Sequence, residues 1–300
     1  MNIEDLKKVL HVTQTSNLQR SAKVLYMSAG GLSKIVTKVE QGLHTRLFER
    51  VGKNIQLNDN GKRFALHAHQ LVHDYEQLAS HFKDATFDIS LILCGPAIIT
   101  DYWMSHIFNC CDLAKTNINI NTEFEGDAIK RVEQGGAHIA LVSAKAIVQL
   151  SPSLQTIKLT SSVAKVMASA THPLWSTHPS GKLSVAQLND YGFACLSASP
   201  FCGIEQGLGS DGWRDDKIKR RIQFRCDELN SLMSIVKNGL AVAYLPDYMG
   251  KIEQLRALEI TDCPWHCDEE IYLVWRPSTA DGWLNRLISN IEQTLCQHLN

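Results

Sequence analysis

The sequence predicts an α/β chain that opens with an all-α module. Three patterns predict it. Two short apolar runs at helical spacing lie between Leu18 and Val39, and a longer heptad-like seam runs from Asn60 to about Lys83. Beyond residue 87, short apolar runs bounded by Gly and Pro alternate with helical stretches, the pattern of an α/β sheet.

In the N-terminal module, Ile3, Leu6, Val9, Leu10 and Thr13 share one face of a first helix. Leu18, Ala22 and Leu25 mark a second, and Leu32, Ile35, Val36 and Val39 a third, with Ser28 placed to cap it. The last two form a helix-turn-helix, whose second helix can enter the major groove of DNA. Its inward residues leave Ser28, Ala29, Gly30, Ser33, Lys34, Thr37 and Lys38 on the outer, DNA-facing side. The hydroxyls can bond phosphates or base edges and the lysines add charge. From Leu47 to Leu57 the chain alternates about a polar tip at Gly52–Asn54, a β-hairpin wing. Arg46, Arg50 and Lys53 can reach phosphates or the minor groove from it, although Arg50 reads equally as a structural ion-pair partner.

Charge agrees with this division. Residues 1–65 hold 11 Lys and Arg against 5 Asp and Glu, a net of +6, whereas the remainder holds 19 against 26, a net of −7. A basic first fifth on an acidic body suits a polyanion-binding module joined to something else. At 44% apolar and 20% charged residues, the 300-residue chain has an ordinary globular composition and length for two or three domains. Met1–Leu10 lacks the apolar core of a signal peptide and no run suggests a membrane span, so a cytoplasmic protein is expected. Nine cysteines then imply free thiols. Cys263, His266 and Cys267 lack a fourth ligand and paired Cys-x-x-Cys spacing, so no metal is expected. No Gly-x-Ser-x-Gly, phosphate loop or metal set points to an enzyme or a cofactor.

In the seam, Phe64, Ala68, Leu71, Tyr75, Leu78 and Phe82 recur at spacings of four and three, and His67, His69, His73 and His81 ride on the same helix. Strands are expected at Ile89–Cys94, Ile118–Phe124, Ile139–Ser143, Ser162–Ala170, Phe193–Ser197, Leu240–Leu245 and Ile271–Trp275, forming a parallel α/β sheet. Ligands in such sheets bind beyond the strands' carboxyl ends. Asp227 is placed to cap a helix from Glu228 to Lys237.

The chain resembles the LysR-type transcriptional regulators. The resemblance rests on Ser21-Ala22 with Leu25, Ser28 with Leu32-Ser33, Val39-Glu40 with Leu43, Arg46-Leu47-Phe48-Glu49-Arg50, Leu57 and Gly61, and on Val236-Lys237-Asn238-Gly239 through Pro246. It implies a winged helix-turn-helix over 1–58, a dimerisation helix and hinge over 59–86, and a two-lobed, periplasmic-binding-protein-like effector domain over 87–300. Lobe I would take about 87–161 and 268–300, and lobe II about 162–267. It also implies double-stranded promoter DNA and a small-molecule effector as partners, and a homodimer through the seam that assembles into a homotetramer. Effector contacts are expected from Pro96, Ala97, Thr100, Asp127, Ser199, Phe201, Cys202 and Asp227.

Two departures stand out. Ala29-Gly30-Gly31 occupies the family's usual Gln-Pro-Ala, so base preference is expected to differ, and Pro96 takes a slot that usually offers a hydroxyl to an acid. Cys202 lies where peroxide-sensing members carry a reactive thiol, which leaves a redox effector as an alternative. A solute-binding module that does not bind DNA is a further alternative, against which the +6 segment argues.

Overall fold

The computed structural model describes residues 2–51, 54–82, 89–203, 205–265, 267–277, 280 and 282–298. Three helices open the chain: α1 (Ile3–Thr15), α2 (Leu18–Val24) and α3 (Ala29–Gly42). Each begins at a polar side chain that accepts an otherwise unbonded amide. Asn2 takes the Asp5 N–H at 2.8 Å, Asn17 that of Arg20 at 3.0 Å, and Ser28 that of Gly31 at 3.0 Å. Leu6, Val9, Val12, Ala22, Leu32, Val36 and Val39 close into one core with Leu47.

The wing is an antiparallel pair, β1 (Phe48–Val51) and β2 (Asn54–Leu57), with Phe48 opposite Leu57. Its root is pinned to α3 by Glu40, whose carboxylate accepts the Leu47 and Phe48 N–H groups at 2.7 and 3.3 Å. Helix α4 (Asp59–Phe82) then starts so close to the root that a Cβ on Gly61 would stand 2.1 Å from the Leu47 carbonyl oxygen. Only glycine permits that approach.

The second half runs β3 (Ile89–Gly95), α5 (Ala97–Phe108), β4 (Thr116–Thr122), α6 (Glu125–Glu133), β5 (Ile139–Ser143), β6 (Gln155–Ser169), α7 (Leu174–Thr177), β7 (Lys182–Leu183), α8 (Val185–Leu188), β8 (Phe193–Leu196), β9 (Ile222–Cys226), α9 (Leu229–Lys237), β10 (Ala243–Pro246), α10 (Asp247–Ile252), β11 (Leu255–Ala257), β12 (Glu259–Ile260), β13 (Asp268–Trp275) and α11 (Gly282–His298). Its main sheet has the order β10-β6-β13-β5-β3-β4, with β11 also on β6. The expected parallel sheet is therefore a mixed one. Strands β4, β3 and β5 pair in parallel, as do β8 and β9, but β13 is antiparallel to both neighbours and β10 and β11 are antiparallel to β6. Parallel neighbours need a crossover helix, and β13 is entered from an irregular stretch after β12 without one.

Strand β6 begins seven residues before the sequence-expected Ser162 because Gln155–Thr160 pairs with Trp275–Ile271. Polar Lys158 lies on that half and pairs across to Glu270, which hides the strand from an apolar-run criterion. Where the lobes meet, the Tyr248 hydroxyl donates to the Ile98 carbonyl at 2.9 Å and its ring stacks on Tyr102 at 4.7 Å.

In the second lobe, Arg220 organises the long loop between β8 and β9. Its side chain is 1% exposed and meets Asp211 at 2.6 and 2.8 Å and Asp215 at 2.9 and 3.1 Å, beneath the rings of Phe193 and Trp213. Both carboxylates are positioned by one planar guanidinium. Arg220→Ala leaves them facing an apolar pocket without a cation, and should cost about 3–5 kcal/mol in chemical denaturation, with no rescue by Arg220→Lys.

Candidate functional site

On α3 the apolar residues turn inward as expected, and Ser28, Gly30, Ser33, Lys34, Thr37 and Lys38 are exposed, with Ala29 half-buried. Their chemistry is not equivalent. Lys38 forms a 2.8 Å ion pair with Asp5, and this hydrogen bond holds the Asp5 carboxyl below the usual carboxylate range. Lys38 thus stays exposed on the outer side, as expected, and at the same time clamps α3 to α1. Ser28 accepts the Gly31 N–H as the cap and keeps its own hydroxyl proton, and Thr37 donates to the Ser33 carbonyl at 3.0 Å. Ser33 and Lys34 are the outward donors on the body of the helix, with the Ser28 hydroxyl at its start. Gly30 has nothing within 4 Å of where its Cβ would lie, whereas a Cβ on Gly31 would meet Ser28 Oγ at 3.1 Å.

Arg50 sits on β1 opposite Ile55, and Lys53 lies outside the described residues. Ser33 and Thr37 share a groove with Gln41, His44, Arg46 and Glu49, which joins α3 to the wing. The sequence reading missed Tyr26, which is 98% exposed at the turn between α2 and α3 with φ of 51°. Its signal was a bulky ring where a turn was required.

The seam divides. Ala68 is buried with Ala65 against Leu10 of α1, and Phe64 packs into the same core. Ala68 is thus taken up within one chain rather than presented to a partner, whereas Phe64 is half-buried beside it. Leu71 and Tyr75 are 52% and 47% exposed, and the side chains of Leu78 and Phe82 lie outside the described set. His67 is exposed, whereas His69 packs against the Gly135–Gly136 turn. Burial and then Arg131 lower its pKa to about 4, so it stays neutral near pH 7.

Between the lobes lies a cavity of about 70 Å³, with Ile98 and Lys145 on one side and Leu196, Ser199, Phe201 and Cys202 on the other. Of the eight expected effector residues, Ser199, Phe201 and Cys202 line it. The others do not. Pro96 caps α5, Ala97 packs into the core, and fully buried Thr100 donates its hydroxyl to the Pro96 carbonyl at 3.2 Å. Asp127 is exposed on another groove, 3.8 Å from Lys130. Asp227 is exposed and does not cap α9, whose N-cap is Glu228 without a side-chain bond.

The sequence reading missed Glu125. Its side chain is fully buried in the first turn of α6, where it accepts the N–H and hydroxyl of Ser143 at the end of β5 and, from lobe II, the Cys202 N–H at 2.7 Å. The Glu125 N–H in turn donates to the Pro200 carbonyl at 3.2 Å. One carboxylate therefore ties three segments together across the lobe boundary. Only its place just after a strand, in a helix first turn that favours negative charge, was visible beforehand. The Cys202 thiol accepts the Gly126 N–H, but burial and then Glu125 push it up, which opposes thiolate chemistry. Among the described residues no His, Cys, Asp and Glu group could hold a metal ion, and no helix is long and apolar enough to cross a membrane.

Two outcomes follow from this geometry. Gly30→Ala, with open space for its methyl, should stabilise the chain by about 0.5–1 kcal/mol in thermal melts. Burial raises the Glu125 pKa despite its donors. A raised folded-state pKa contributes stability that is full below the ordinary value of 4.5 and is lost as pH rises through the raised one. Urea denaturation should therefore show the native chain losing ground to Glu125→Gln as pH rises from about 4.5 through the raised value, and a pH-independent difference would contradict this.

Residues 3–62 match the family described as "Bacterial regulatory helix-turn-helix protein, lysR family", and residues 90–293 match "LysR substrate binding domain". The transcriptional activator IlvY of Salmonella typhimurium is 25% identical over 152 residues, 47% of this chain and 49% of that protein. The alignment thus spans about half the length of the curated relatives it matches. Among solved structures, full-length LysG of Corynebacterium glutamicum with bound effector Arg covers 99% of each chain at 14% identity, with a TM-score of 0.57. Full-length CbnR complexed with target DNA covers 98% of this chain and 100% of its own at 14% identity, with a TM-score of 0.56. With the family's two domains matched in order along most of its length, the chain belongs to the LysR-type transcriptional regulators.

Proposed function

We propose that this chain binds promoter DNA through α3 and its wing and reads a small-molecule effector in the interlobe cavity. The observation that carries the DNA reading is the outward face of α3, where Ser33 and Lys34 are exposed on a helix whose opposite face is packed. The basic excess of residues 1–65 and the CbnR complex with its target DNA support it. A cavity between lobes and the Arg-bound LysG structure support the effector reading.

On this reading 1–58 is the DNA-binding unit, 59–86 the pairing helix and hinge, and 87–300 the effector unit. Its lobe I takes about 87–161 and 268–300, and its lobe II about 162–267. Two chains pair through the exposed part of α4 and the dimers associate into a tetramer. The protein acts in the cytoplasm as a regulator and not as an enzyme. Its eight described free thiols suit a reducing compartment.

Lys34→Ala should weaken binding to all sequences alike and lower the salt slope by about 1, whereas Ser33→Ala should weaken operator binding more than nonspecific binding. Both are measured by fluorescence anisotropy against salt, and unchanged affinity in both variants would move the contact face elsewhere. Leu71→Asp should shift sedimentation toward monomer while leaving the helical circular-dichroism signal intact; an unshifted oligomer would remove Leu71 from the interface.

A further inference from the structure

The polar groups around the interlobe cavity are unequally occupied, and that inequality identifies a ligand chemistry. The donors an anion would use at the end of β5 are engaged by the chain's own carboxylates. Glu125 takes the Ser143 N–H and hydroxyl and the Cys202 N–H, and Glu269 takes the Ala144 N–H. At the α6 N-terminus, the Glu125 N–H is given to Pro200 and the Gly126 N–H to the Cys202 thiol.

Two of the three wall serines are committed as donors. Ser162 donates to Asp247 at 2.8 Å and Ser210 to the Leu196 carbonyl at 2.5 Å, whereas Ser199 accepts the Phe201 N–H at 3.2 Å and keeps its own hydroxyl proton. Asp211 also borders the cavity, but its carboxylate is held by Arg220, which it shares with Asp215, so this cluster adds no positive charge to the wall. This leaves Glu269 and Lys145 as the open charges of an otherwise mainly aliphatic wall, with Glu125 immediately behind. Among the described residues no ion pair joins Lys145 to either carboxylate; it acts on both through space. Two carboxylates against one ammonium leave about one uncompensated negative charge beside a low-dielectric space, which repels an anion and favours a cation.

We propose that the cavity takes a compact ammonium-bearing molecule, its cation on the Glu269 carboxylate and its aliphatic body against Leu196, Phe201 and Leu232. This rests on the reading of the cavity as the effector site. Burial is the main influence raising the Glu269 pKa, consistent with a carboxylate short of a cation. At roughly 10–15 Å³ of accessible space per bound water, the cavity admits about five to seven non-hydrogen atoms. An alkylamine and a small α-amino acid share this chemistry. The amino acid would set its carboxylate on Lys145.

Isothermal titration of the full chain with n-butylamine, 2-aminobutyrate, n-butanol and butyrate tests the assignment. The amine, the amino acid or both should bind at millimolar concentration or better, and butanol and butyrate should not. Glu269→Gln, checked for a cooperative melt, should weaken ammonium binding at least about tenfold. Lys145→Met should spare the amine and weaken only the amino acid. Butyrate binding as tightly as the amine, ammonium binding indifferent to Glu269→Gln, or no binding by any of the four overturns the proposal. Leu196→Trp, which fills the cavity, separates the two levels. Butyrate binding that this variant abolishes leaves the cavity as the effector site and removes only the ammonium assignment. Ammonium binding that survives it removes both.

Discussion

The pairing of β6 with β13 is the constraint on which the rest of the effector half depends. A single fifteen-residue strand pairs along its first half with β13 and along its second with β10 and β11. Both lobes thereby share one sheet, and their relative placement is set by backbone hydrogen bonds rather than by a loose linker. The cavity lies where the two sets of pairings meet, with Ser162 and Ala164 of β6 and Glu269 of β13 on its wall.

Across that junction the lobes are also tied by polar groups of the chain itself. Glu125 loses hydration on burial, and three donors from two lobes and the first turn of α6 compensate this in part. The same carboxylate fills the place at a strand end and helix N-terminus where an acid ligand would ordinarily bind. The tie between the lobes and the proposed disfavour of anions therefore rest on the same carboxylate.

The N-terminal helix-turn-helix module follows a similar economy of polar groups. Glu40, one of the residues that carry the family resemblance, anchors the wing root; Gly61 makes room for the Leu47 carbonyl; Lys38 holds Asp5. Glu40, Gly61 and Lys38 preserve the scaffold, while the outward chemistry rests with Ser33, Lys34 and the Ala29-Gly30-Gly31 tip. A family pattern can thus be strong evidence for the fold and say little about base preference.

Local rules made much of the chain legible. Helical spacing placed α1, α3 and α4, Ser28 announced its cap, and a five-residue apolar run marked β5 as Ile139–Ser143, because each depends on contacts within a few residues. The same local view identified Ser199, Phe201 and Cys202 as lying after a strand end, and those three reach the cavity. It could not separate Lys34 from Lys38 on one helix face, since the difference is Asp5, thirty-three residues away. Nor could it show that Phe64 and Ala68 pack inward, that the sheet is mixed, or that Glu125 and Glu269 converge with Lys145. The sequence by itself determined most of the longer helices and the apolar strands, and that a basic helical module precedes an α/β body. The tertiary structure alone decided which polar side chains remain open, because a donor or charge is available only if no distant part of the chain has already taken it.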